Sequence, residues 1–246
     1  MKRLNLRVTI ITNILLFITI ISVCVITFIP SSAVQTSIKD TNSAIYNGNR
    51  QKNNVSLMFN VYENTKIVNQ IIDVLDKKSV KATFFVGGCW ADDNENTLIK
   101  IVKSGHEIAN HGYFHKDHKK LSYEANYQEI RNTSNIVKAL CGIESKLFAP
   151  PSGSFSVTTL KASYDLGHKL IMWSKDTIDW RDSDIATIFN RATKNLEGGD
   201  LVLMHPKKHT LEILPSIIDY YLSVGFDVVT VSQNIDNDSG EQNDKI

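Results

Sequence analysis

Short uninterrupted apolar runs alternate with helical periods along most of this chain, and that alternation constrains its fold more than any other feature. VSLMF (55–59) precedes a helical series through Ile67, Ile71, Ile72 and Leu75. ATFFV (82–86) precedes Leu98, Ile99, Ile101 and Val102, in a helix that Gly105 ends. HEIA (106–109) precedes a long predicted helix, with Ser122 as N-cap and Gly142 as its C-terminal stop. KLFA (146–149), KLIMW (169–173), LVLM (201–204) and FDVVTV (226–231) follow in the same rhythm. The helices between them end at Gly167, start at Asp184 and stop at Gly198–Gly199, and run through Leu211, Ile218 and Leu222. A strand that is apolar on both faces must be covered on both faces, which calls for a parallel sheet wrapped by helices. The expected class is α/β, with about seven parallel strands. So many strands between residues 55 and 231 favour a small distorted (β/α) barrel over an open doubly wound sheet.

The ends of the chain have a different character. Lys2, Arg3 and Arg7 precede a run from Val8 to Ile29 that carries no charge. At about 1.5 Å per residue it spans about 33 Å as a helix, enough to cross a hydrocarbon core of about 30 Å. The basic flank should stay on the cytoplasmic side, with everything after Pro30 outside. The expectation is an uncleaved signal-anchor over residues 1–30, making a single-pass membrane protein with its domain on the outer face. The alternative is a signal peptide cleaved near Ser31, Ser32 and Ala33, which would release a secreted domain. Residues 31–53 are rich in Ser, Thr, Asn and Gln and read as a linker, 54–235 as the folded domain, and 236–246 as a polar tail.

Composition excludes some functions. With 27 basic and 26 acidic residues the formal net charge is +1, and the only basic cluster is Lys116, Lys119 and Lys120, so no nucleic-acid partner is expected. Of three cysteines, Cys24 lies in the apolar run. Cys89 and Cys141 either pair in an oxidising compartment or remain free, and without a Cys-x-x-Cys no thiolate metal cluster is expected.

The chemistry-bearing side chains fall in one place. Asn60, the segment HGYFH (111–115), the Pro150–Gly153 turn, Asp176 and Asp179, and His205 each follow the C-terminal end of a predicted strand. In parallel α/β folds that edge is where sites are built. His111 and His115, four apart, have the spacing at which two imidazoles on one helical turn can share a cation. His118 is expected at the surface. His205, at the end of a buried strand and followed by Pro206, suits proton transfer near neutral pH, or else a hydrogen-bonded place on the rim. A carboxylate such as Asp176 or Asp179 either fixes the tautomer of a nearby imidazole or caps the chain after its strand. LFAPPSG (147–153) is a rigid turn suited to a groove wall.

In order along the chain, H-x-x-x-H, P-P-x-G, D-x-x-D-W and L-x-H, together with KATFFVGG (81–88) and GHEIANHGYFH (105–115), resemble the polysaccharide deacetylases, the carbohydrate esterases of the NodB-homology type. The resemblance covers roughly residues 53–235. It implies a hydrolase that removes N-acetyl groups from a cell-wall polysaccharide such as peptidoglycan, with an N-acetylated glycan as substrate. It also implies one divalent metal ion, often zinc, that polarises the acetamide and activates a water. By position His111 and His115 resemble the metal histidines. His205 resembles the acid that protonates the leaving amine, and Asp179 its partner. Pro151, Trp180, Leu203 and Tyr62 correspond to substrate-lining positions.

The departures are as specific as the matches. The family's first motif ends a strand in Thr-Phe-Asp-Asp-Gly; here Met58, Phe59, Asn60, Val61 and Tyr62 stand at those places. Asn60 occupies the catalytic position of the base, and Val61 that of the metal carboxylate. Ala149 replaces an arginine that orients the base. An amide accepts no proton near neutral pH, and valine ligates nothing. Two functions therefore compete: a deacetylase with weakened or rearranged metal chemistry, and an inactive or weakened protein of the same fold that binds glycan. A scaffolding role at the membrane's outer face is a third, carried only by the anchor and linker.

Overall fold

The computed structural model describes residues 43–236, together with 13 and 16–19. Among these no helix is long and apolar enough to cross a membrane. The span expected over 8–29 and the tail after 236 lie mostly outside the described residues.

The domain is one all-parallel sheet in the order β5-β4-β3-β2-β1-β7-β6, with β8 also paired to β1. The strands are β1 (Asn54–Val61), β2 (Thr83–Val86), β3 (Glu107–Asn110), β4 (Leu147–Phe148), β5 (Lys169–Leu170), β6 (Lys175–Asp176), β7 (Asp200–Met204) and β8 (Asp227–Val228). The helices are α1 (Thr65–Lys77), α2 (Gly88–Asp92), α3 (Glu95–Lys103), α4 (Tyr123–Cys141), α5 (Val157–Asp165), α6 (Ile185–Thr193), α7 (Lys208–Ser223) and α8 (Val231–Ile235). β5 and β6 stand at opposite ends of this order, yet only residues 171–174 connect them. A link that short reaches less than about 18 Å, so the sheet must curl until its ends nearly meet. The result is the distorted, incompletely closed barrel expected from the strand count. Two edges differ from expectation. KLIMW forms a strand only at Lys169–Leu170, and the polar pair Lys175–Asp176 forms an additional one beside Val202 and Leu203.

Strand alternation sorts the apolar side chains into two cores. Leu57, Phe59 and Val61 of β1 pack with Phe84 and Val86 against Ile71, Ile72, Leu75, Leu98, Ile101, Leu214, Ile217 and Tyr221 of the surrounding helices. Met58 faces the other way, into the barrel, with Phe85, Ala109, Ala149, Ile171 and Leu201. The long predicted helix is present: the Ser122 hydroxyl accepts from Ala125 N at 3.2 Å, and Gly142 ends it at φ 70°. Asp184 caps α6 through Ala186 N and Thr187 N, although α6 ends at Thr193, short of the expected glycines.

The expected linker is shorter than 31–53. Residues 43–53 pack on the domain: Ile45 bridges Ile171, donates to Leu170 O at 2.9 Å and accepts from Met172 N at 2.7 Å. Arg50 pairs with buried Asp200 at 2.7 Å. Ile45 supplies apolar area, and its backbone covers an edge that β5 would otherwise leave open. Cys89 and Cys141 are both free thiols.

Candidate functional site

The C-terminal strand ends converge as the parallel topology requires. β1 pairs with β7 through Phe59 and Met204, which places Asn60 and His205 just beyond neighbouring strand ends. His111 N bonds Val86 O, and Ala149 N bonds Asn110 O, which places the histidine segment beside the β2 and β4 ends. Together these ends enclose a cleft of about 400 Å³ lined by Asn60, His111, His115, Ser152, Trp173, Asp176, Trp180, Leu203 and His205. A second lobe shares Asn60, both histidines, Trp180 and His205, and adds Tyr62, Glu63, Pro206 and Lys207.

His111 and His115 do converge, but not on a helix. Residues 111–117 are loop, and the ring centroids of the pair stand 5.4 Å apart at 75°. The reversal uses Gly112 at φ 73° and His115 at φ 52°, a left-handed conformation that a side-chain-bearing residue holds only when its surroundings impose it. Buried Glu129 of α4 imposes it. One of its oxygens accepts from Tyr113 N at 2.9 Å and Phe114 N at 2.7 Å, and the other meets Lys116 Nζ at 2.8 Å. Tyr62 adds a hydroxyl bond to Tyr113 O and rests its ring edge on His115. Glu129→Gln exchanges one acceptor for a donor facing donors, so it should cost about 2–4 kcal/mol, a fall in Tm of about 4–15 °C. Amide exchange at Tyr113 and Phe114 should accelerate with it; unchanged protection there would mean that Glu129 does not hold the loop.

The two imidazoles are poised as neutral bases. His111 is 1 % exposed, and burial, reinforced by neighbouring His115, pushes its pKa down to about 3. Its Nδ1 donates to Ala149 O at 2.8 Å, so Nε2 carries the lone pair. Burial lowers the His115 pKa as well. His118, expected at the surface, is instead wholly buried, with Nδ1 bonded to Asn126 at 2.7 Å and the ring under Gly112. It supports the loop and stands outside the cleft lining.

Opposite them, Asp179 is 1 % exposed and accepts from His205 N and His205 Nδ1, each at 2.7 Å, and from the Thr210 hydroxyl at 2.6 Å. His209 Nε2 bonds the Asp179 carbonyl at 2.8 Å. The carboxylate fixes His205 with its proton on Nδ1 and leaves Nε2 toward the cleft. Leu203 forms a buried wall and Trp180 an exposed one, 54 % accessible, with the Arg181 guanidinium 5.8 Å from its ring. Pro151 does not line the cleft: it is buried behind Gly112, and the turn swings Ser152, at φ 55°, into the lining instead.

Three contributors, Glu129, Thr210 and Ser152, are not singled out by the sequence, whereas Asp176 is. Glu129 lies on the buried face of α4 with Asn126, Ile130, Thr133 and Val137, and an acidic residue in an apolar stripe is a readable signal. Thr210 and Ser152 carry no such mark. Asp176 lines the cleft, and its Oδ1 accepts from Ile178 N at 2.8 Å.

A divalent ion bound by two histidines needs a third donor. Among the described residues no three His, Cys, Asp or Glu side chains are grouped to hold one. Val61 is fully buried in the core between sheet and helices. The donor set therefore does not fit the two-histidine, one-carboxylate ion.

Comparison with known proteins agrees with this geometry. A family model for polysaccharide deacetylases matches residues 47–171. The chain is 34% identical over 192 residues to the uncharacterized protein YlxY of Bacillus subtilis, covering 78% of this chain and 60% of that one. It is 30% identical over 191 residues to a peptidoglycan-N-acetylglucosamine deacetylase of Bacillus cereus, covering 76% and 70%. Among solved structures, a CE4 family pseudoenzyme from Bacillus anthracis superposes with a TM-score of 0.77 at 33% identity, covering 79% of this chain and 69% of that one. A mutant of that pseudoenzyme, described as having restored enzymatic activity, matches equally well by TM-score, 0.77. With its ordered motifs, its nearly closed parallel barrel and these relatives, the chain belongs to the polysaccharide deacetylase family, as a divergent member.

Proposed function

We propose that this chain binds N-acetylated cell-wall glycan, such as peptidoglycan, in the strand-end groove and does not hydrolyse it. One observation carries the reading: the floor of the groove is an amide, Asn60, where deacetylation needs a group that takes a proton from water. Ala149, fully buried, offers no cation to orient such a base. The exposed Trp180 face, the Leu203 wall and a cleft of about 400 Å³ suit a sugar ring and its substituents. The uncharged run of residues 8–29 would hold the domain on the outer face of the cell membrane, within reach of that polymer.

A second reading is favoured by the complete Asp179–His205 pair: a deacetylase of reduced activity, with His205 protonating the leaving amine. A single assay separates the two. The full chain is incubated with peptidoglycan fragments and chitin oligomers, with zinc, cobalt or manganese supplied, and released acetate is measured alongside sedimentation with insoluble peptidoglycan. The expected result is cosedimentation with no acetate above the blank. Acetate release that His205→Ala abolishes would overturn the binding-only function.

A further inference from the structure

Asn60 lines the cleft with a side-chain amide whose oxygen its neighbours leave unpaired. It is 5 % exposed, lines both lobes, and its Oδ1 is buried with no hydrogen-bond partner. Two other buried polar groups near it have partners: His111 through Nδ1, to Ala149 O, and Asp179 through both oxygens, to His205 and Thr210. A buried amide oxygen without a partner costs about 1–3 kcal/mol, and a turn of the Asn60 side chain that brings its amide to face the groove lets a ligand of matching chemistry remove that deficit.

We propose that Asn60 reads the acetylation state of the glycan, its side-chain amide pairing with the acetamide of an N-acetylated amino sugar and discriminating against the free amine. An amide offers one kind of donor and one kind of acceptor, and so does an acetamide; the two match whichever way the Asn60 amide is turned. A carboxylate ligand offers acceptors only and an ammonium donors only, and each leaves one half of Asn60 unpaired. The walls agree with this choice. Leu203 is buried and apolar and lines the cleft with Trp173 and Trp180, surroundings that accept a methyl group. Of the charged residues lining the two lobes, Asp176 accepts from Ile178 N, and Glu63 and Lys207 pair with each other. A site that requires a partner's hydrogen-bonding group rejects an analogue lacking it far more strongly than an apolar pocket rejects a missing methylene. The inference rests on the glycan-binding function above, and adds Asn60 as the residue that selects the acetylated over the deacetylated polymer.

The test is titration of the full chain with an N-acetylglucosamine tetramer and with the corresponding glucosamine tetramer, followed by tryptophan fluorescence. The wild type should prefer the acetylated oligomer by about 10-fold or more. Asn60→Ala should lose most of that preference by weakening only the acetylated ligand. Asn60→Asp, acceptor-only and charged, should shift the preference toward the amine. That redirection is one that a merely destabilised variant does not produce. If Asn60→Ala and Asn60→Asp keep the wild-type preference, the proposal fails while glycan binding stands. If the wild type binds neither oligomer, glycan binding fails and the proposal with it.

Discussion

Replacing Asp179 by alanine is expected to lower the thermal midpoint by about 6–20 °C, the largest effect of any single substitution in the cleft. Its carboxylate is buried and accepts three hydrogen bonds, from His205 N, His205 Nδ1 and the Thr210 hydroxyl. Alanine leaves all three donors without an acceptor at a buried position. Removing one partner of such a buried cluster typically costs about 3–5 kcal/mol, because the groups left behind remain desolvated. Asp179→Asn separates shape from charge. One amide oxygen can still accept from His205 N and Thr210, but the amino group then faces Nδ1–H, so the imidazole must change tautomer. Its loss should be about half that of alanine, and the His205 ring proton signals should move in an NMR spectrum. An alanine variant melting within about 2 °C of the wild type would show that the fold does not depend on this carboxylate. The same cluster bears on function: a proton-donating histidine this firmly held suits the acid step of deacetylation, and equally suits a fixed hydrogen-bond donor to a bound sugar.

Much of this was legible in the sequence, for identifiable reasons. VSLMF, ATFFV and LVLM are continuous apolar runs, and only a strand buried on both faces uses residues in that way. Ser122 and Gly142 bracket α4 because a hydroxyl that accepts from the first turn and a residue free to adopt φ 70° are chemical requirements of helix ends. The convergence of Asn60, His111, His115, Trp180, Leu203 and His205 follows from topology, since every parallel strand delivers its C-terminal end to the same edge. What could not be read depends on long-range partners. Lys175–Asp176 is a strand only because β7 lies beside it. The segment 43–53 packs only because the β5 edge is available to Ile45. His118 sits between three lysines and reads as surface, yet Asn126, eight residues away, gives it a buried partner. HGYFH suggested a helical turn from its spacing alone; the loop that actually brings the rings together depends on Glu129, one helix further on.

Acid should unfold this domain well before its carboxylates titrate fully, and the cause lies outside the cleft. His106 and His168 are 5 % and 8 % exposed, and burial pushes the pKa of each down to about 4. Lys81 lowers His106 further, against a smaller opposing pull from Asp76, 3.6 Å away; for His168 the hydrogen bond to Leu166 O opposes burial, and Lys146 adds a smaller lowering. Geometry explains why each is kept neutral. His168 bonds Leu166 O through Nδ1 and the Ser134 hydroxyl through Nε2, one donor and one acceptor. His106 packs its ring at a tilt against Phe84 and accepts from Ala82 N. At pH above about 6.5 the rings are neutral in the folded and the unfolded chain, and the fold has its full stability. As the pH falls below that value, the unfolded chain takes up protons that the folded chain refuses, and stability is lost until the folded rings themselves protonate near pH 4. Between pH 7 and 5 the two histidines should together remove about 2–4 kcal/mol, a drop in Tm of about 4–15 °C. Buried His118, also lowered by desolvation, acts in the same direction. His106→Phe keeps the ring against Phe84 but binds no proton, so it should flatten the dependence of stability on pH by up to about 1.4 kcal/mol per pH unit. Thermal melts of the wild type and this variant at half-unit steps from pH 7.5 to 4.5 measure both slopes. A wild-type Tm that holds level down to pH 5, or equal slopes for the two proteins, would place the acid sensitivity elsewhere.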